Sequence, residues 1–87
     1  MPGISVADGT VIMASDMLKD ALDEAERHNA ERVEEIHLEM GDALQPSLDR
    51  LVRSMRFLAG DTKASKARLV VRLVDGVDCS IKKIVIP

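Results

Sequence analysis

Between Glu35 and Met40 the chain alternates polar and apolar residues without a break, and this short EIHLEM run lies between two stretches of helical spacing. A strand placed there puts Ile36, Leu38 and Met40 on one face and Val33, Glu35, His37 and Glu39 on the other. Gly41 ends it. Upstream, Val11, Ala14, Met17, Leu18, Ala21, Leu22 and Ala25 form one stripe opposite Asp16, Lys19, Asp20, Asp23, Glu24 and Arg27, which predicts a helix over Val11 to His28. Thr10 is its expected N-cap, and Asn29 the residue able to turn left-handed and stop it. Downstream, Leu48, Leu51, Val52, Met55, Leu58 and Ala59 predict a second helix over Pro46 to Ala59, with proline in the first turn and Gly60 closing it.

After a polar linker, Ala67 to Val74 and Ser80 to Ile86 are rich in β-branched residues and are separated by Asp75 and Gly76, so a closing β-hairpin is expected. The order helix, strand, helix, strand, strand predicts an α+β domain of two layers. Both helices cover one face of a small mixed sheet of about three strands. Residues 1–9 read as an extended N-terminal arm or a short edge strand at Ile4 to Ala7, and residues 10–87 as the single domain. On the second sheet face, Arg68 and Arg72 fall opposite in phase to Leu69, Val71 and Leu73, which suits cross-strand pairing with Glu35 and Glu39.

An 87-residue chain has room for one domain and buries only about 60% of its unfolded surface, so self-association would add useful burial. Apolar residues at 46% and charged residues at 31% place it among globular chains, and Phe57 is its one aromatic side chain. The net charge of −3, with almost no aromatic surface for base stacking, argues against a nucleic-acid partner. No apolar run approaches the roughly 20 residues of a membrane span, and the start lacks a signal-peptide pattern, so a cytoplasmic protein is expected. Cys79 stands alone and reads as a small hydrophobe rather than a disulfide or zinc ligand.

Candidate functional residues are few. Glu35, His37 and Glu39 share a strand face, where a histidine between two carboxylates can take a divalent metal or simply be a wet sheet surface. Their Cβ atoms step by roughly 7 Å along a strand, wide for ligands of a single ion. His28, near the end of the first helix, reads as a cation favoured by the helix dipole. Arg50, Arg53 and Arg56 recur every third residue and make a basic ridge, either a solvated face with Asp49 pairing Arg53 or a dock for an acidic partner protein. Val33, Val70 and Val74 add apolar surface to the charged sheet face. The last strand adds Ile81 and Val85, or Ile84 and Ile86, according to register. An apolar patch rimmed by charge fits a partner surface, and homodimerisation through it, or cover by Ile4 and Val6 of the arm, is the natural expectation. Phosphate loops and nucleophile motifs are missing, so no enzyme is expected.

From Thr10 onward, the stretches ALDEAERHNAERVEEIHLEMGDAL, FLAGDTKASKARLVVRL and SIKKIVI resemble the amino-terminal, nickel-binding domain of the HypA family. These metallochaperones help insert nickel during maturation of nickel-iron hydrogenases, and of urease in some organisms. The resemblance implies an accessory role in metallocentre maturation, with a hydrogenase subunit or another maturation protein as partner and nickel as a possible ligand. It also marks two departures. Family members open Met-His-Glu and bind nickel through that terminus, whereas Asp8, Gly9 and Thr10 stand at those positions here. Members also carry a zinc domain with two Cys-x-x-Cys pairs between the last two strands, where this chain has only Asp75 to Asp78. Zinc is therefore not expected, and nickel binding in the family's manner is not expected either. Three readings follow: a divergent HypA-like accessory protein with weak or lost nickel binding, a metal-independent dimeric module that keeps the fold, and, with no motif behind it, a small enzyme.

Overall fold

The computed structural model describes residues 9–87. Helix α1 (Gly9–Arg27) leads to strand β1 (Glu35–Gly41), a 3₁₀ segment (Asp42–Ser47), helix α2 (Leu48–Ala59) and strands β2 (Arg68–Val74) and β3 (Cys79–Val85). The domain is α+β, with a three-stranded mixed sheet and the element order expected from the residue pattern. Ile36, Leu38 and Met40 are each 1% exposed and pack against Ala14, Met17, Leu18, Ala21 and Ala25 of α1 and Leu51, Met55 and Ala59 of α2. Truncating any of the large side chains in such a core costs about 2–5 kcal/mol, because the transfer energy is lost and a cavity remains.

The closing hairpin is not formed. The sheet order is β2-β1-β3, with β2 parallel and β3 antiparallel to β1, so the last two strands lie on opposite sides of the first. Two physical preferences win over the Asp75-Gly76 turn signal. The helix between β1 and β2 allows them to run parallel as a crossover unit, and β1, the strand with the cleanest apolar face, is buried best between two neighbours. Residues 75–78 therefore carry the chain across the end of β1 instead of folding it back on β2.

That crossing explains Gly41. Its amide donates to the Asp78 carbonyl at 2.7 Å, and the Ala43 amide donates to the Gly76 carbonyl at 3.1 Å, so the connection lies directly on the strand end. A Cβ on Gly41 would stand 2.3 Å from the Gly76 carbonyl carbon and 2.6 Å from the Val77 nitrogen, inside any permissible contact. Gly76 itself has φ 141°, a backbone conformation side chains disfavour.

Several boundaries shift. The first helix begins at Gly9, so Thr10 lies inside it rather than capping it, and Gly9 belongs to the helix rather than to the arm. Pro46 lies in the 3₁₀ segment, and α2 starts two residues later at Leu48. Asn29 does adopt φ 54°, ending α1 as its side chain permits. Val33 is not on the charged face: it precedes β1, is 2% exposed, and donates its amide to the Lys63 carbonyl at 2.9 Å. Lys63 in turn reaches the Ala30 carbonyl at 2.9 Å and Glu26 at 3.1 Å, fastening the loop after α2 to the loop before β1. The arm residues 1–8, with Ile4 and Val6, lie outside the described residues.

The register left open for the last strand is resolved by a bulge. His37 pairs with Lys83 and Leu38 with Ile81, so Lys82 is the extra residue. The insertion lets Ile81 and Ile84, three apart, both face the helices, and Cys79, Ile81, Ile84 and Ile86 all pack on the core while Val85 pairs with Glu35 on the other side. Substituting Gly41→Ala forces the crossing backbone away from β1. We expect a loss of about 1–3 kcal/mol in unfolding free energy by urea denaturation, with the slope of the transition unchanged.

Candidate partner-binding surfaces

The open sheet face is a ladder of opposite charges. β1 and β2 pair in parallel register with Glu35 beside Arg68 and Glu39 beside Arg72, as their phase in the sequence suggests. The Arg68 guanidinium donates to Glu35 Oε2 at 2.6 Å, and His37 Nε2 donates to Glu35 Oε1 at 2.8 Å. Glu39 is flanked by Arg72 at 3.8 Å and by the bulged Lys82 at 3.6 Å. The hydrogen bond from His37, followed by that from Arg68, holds the Glu35 carboxyl below its ordinary value.

Each carboxylate of the proposed metal trio thus already has cationic or hydrogen-bonding neighbours, and they are different ones. Glu35 and His37 meet; Glu39 turns to the other arginine. Among the described residues, no group of three or more His, Cys, Asp or Glu side chains is placed to hold a metal ion. His28 lies just beyond α1, with Nε2 3.1 Å from Glu24 Oε2, and Arg27 bonds the same carboxylate. Cys79 faces Met17, Sγ to Sδ 3.8 Å, and burial pushes its thiol pKa up, which suits a packing role. Around the charges of the open face, Val70 and Val74 are half-buried and sit opposite His37 and Gly41.

A second surface lies on the other layer. Phe57 is 85% exposed, and beside it a shallow groove is lined by Val11, Arg50, Arg53, Ser54 and Leu58. Val11 and Leu58 are themselves exposed at 42% and 37%. Arg50 and Arg53 of the basic ridge therefore border apolar surface, Arg56 lies apart from them beside Ala64 and Ser65, and Arg53 pairs with Asp49 one turn away as expected from their spacing. Sequence reasoning found the arginines and missed Phe57. The signal was there: Phe57 falls off the Leu51, Met55 and Leu58 stripe, and an aromatic residue off the stripe of a core-facing helix points to solvent.

No family model matches this chain, and no curated protein matches it. Among the described residues, no helix is long and apolar enough to cross a membrane.

The hydrogen bonds on Glu35 fix a sign for acid behaviour. A carboxylate held below its unfolded value contributes stability above that value and loses it as pH falls through the folded one. Wild type should therefore exceed Glu35→Gln at neutral pH. The difference should shrink below the usual carboxylate range, about 4.3, and vanish in stronger acid, as read from urea midpoints across a pH series. An advantage that persists in acid would place it elsewhere.

Proposed function

We propose that the protein is a divergent HypA-like accessory protein for nickel-metallocentre maturation of hydrogenases, acting mainly through protein contacts, with weak or lost nickel binding. The observation that carries this reading is the exposed Phe57 beside the arginine ridge. Phenylalanine and arginine are enriched where proteins meet, and an aromatic side chain left in water at the edge of an apolar groove gains most when a partner covers it. On the open sheet face Arg68, Arg72, Lys82 and Lys83 outnumber Glu35 and Glu39, with which three of them pair, on a chain whose net charge is −3. Both surfaces suit an acidic protein, such as a hydrogenase subunit or another maturation factor.

Nickel is weakly served by the residues present. Gly9, at the position of the family's histidine, offers no side-chain donor and is the first residue of α1. Asp8 lies outside the described residues. Glu35 and Glu39 are engaged by Arg68 and Arg72, so a cation arriving there must displace cations already in place. A metal-independent, dimeric interaction or regulatory module with the same fold is the second reading, favoured by these occupied carboxylates and by the open edge of β2.

Two measurements separate these readings. Calorimetric titration of untagged protein with nickel should give no stoichiometric binding in the micromolar range; binding of that strength that is lost in His37→Ala would restore a metal role. Phe57→Ala should weaken binding to a purified hydrogenase subunit precursor by at least about tenfold while leaving the melting temperature unchanged. Equal affinity in the two proteins would remove the α2 surface from the interface.

A further inference from the structure

The sheet order β2-β1-β3 leaves two edges, and they are built differently. β3 is bulged at Lys82 and carries two lysines in mid-strand, both of which discourage a further strand. β2 has no bulge, and its two charged residues, Arg68 and Arg72, already have Glu35 and Glu39 of β1 beside them. Its sequence, RLVVRLV, contains no glycine or proline and keeps unbroken register with β1 from Arg68 to Val74, and no strand lies beyond it among the described residues. The Arg68 amide donates to the Glu34 carbonyl at 2.9 Å, on the side of β1. Because strand backbone groups alternate in direction, Arg68, Val70, Arg72 and Val74 turn theirs toward β1, and Leu69, Val71 and Leu73 turn theirs outward.

We propose that β2 pairs antiparallel with β2 of a second copy, centred on Val71. The outward backbone groups then join Val71 to its own counterpart and Leu69 to Leu73 as hydrogen-bonded pairs. On the helix side, Leu69 covers Leu73, which is 42% exposed in the single chain. On the open side, Arg68 meets Val74 and Arg72 meets Val70, so no arginine faces another.

Neighbouring registers fail on charge or on phase. Centring on Val70 sets Arg68 against Arg72, and centring on Arg72 sets that residue against itself, and like charges directly opposite are destabilising. Registers shifted by an odd step place open-face residues opposite helix-face residues. The permitted pairing is two-fold and closed, and it yields one continuous sheet, β3-β1-β2-β2-β1-β3, whose outer edges are the lysine-bearing bulged strands. All helices stay on one side, and the two charged faces become one.

This dimer deepens the second functional reading but does not depend on nickel or on the α2 surface, so its failure leaves the Phe57 measurement intact. Sedimentation equilibrium of the full chain should give twice the 9.5 kDa chain mass at micromolar concentrations. Val71→Pro removes an outward amide at an edge position that a single chain tolerates, and should give the chain mass with its circular dichroism unchanged. Val70→Glu places a carboxylate opposite Arg72 twice by symmetry, and should tighten the dimer by about tenfold. A wild-type protein that stays at the chain mass at every concentration, a dimer that survives Val71→Pro, or a weaker dimer in Val70→Glu would overturn the proposal. The last variant decides the matter even if Val71→Pro does not fold.

Discussion

Every other contact in this domain depends on the burial of one strand between two neighbours and beneath two helices. Ile36, Leu38 and Met40 occupy the centre of the sheet and the centre of the core together, so β1 supplies both the hydrogen-bonding template and the apolar floor. Its two flanks are not equivalent. On one side a parallel strand arrives through α2; on the other an antiparallel strand arrives by crossing the strand's end. The crossing needs Gly41 free of a side chain, and the bulge at Lys82 keeps Ile81 and Ile84 on the same face as the helices. Packing of the strand therefore reaches down to the choice of individual residues at its margins.

Much of this was legible in the residue pattern. The apolar stripe from Ala14 to Ala25, the alternation of Ile36, Leu38 and Met40, and the arginine phase at Arg68 and Arg72 are local signals, each set by the period of its own element, and each appears in the structure where it was read. The hairpin was misread because Asp75-Gly76 is a local turn signal, whereas strand order is decided by which strand buries most between two others. Val33 shows the same limit on a smaller scale. Its phase belongs to the polar face, but the chain turns before Glu35, and the side chain is packed under the loop that Lys63 fastens. The Lys82 bulge left no sequence signal of its own, since it follows from where β3 must pair rather than from what β3 contains.

The site residues divide along the same line. Glu35, His37 and Glu39 share a face, as their spacing requires, yet what surrounds them is contributed by β2 and β3 from more than 30 residues away. Those neighbours turn a row of possible ligands into a charge ladder. Phe57, in contrast, carried its signal within one helix, in its position off the α2 stripe, and its exposure shows what that position means. On the opposite layer, Phe57 stands beside Arg50 and Arg53, while Asp20, Asp23 and Glu24 of α1 share a cleft with Lys82 and Lys83 at the β3 edge.

The pairing of residues 35–40 with residues 79–85 also governs when this domain can finish folding. As the chain leaves the ribosome, α1, β1, α2 and β2 can gather while β1 still has one bare flank, since the strand that closes it is the last to be made. Contacts of such long sequence separation are the costly ones to close, and here they are the ones that cover the second flank of β1. Because β1 keeps one bare flank until β3 pairs with it, the sheet of this domain is complete only once residues 79–85 are in place.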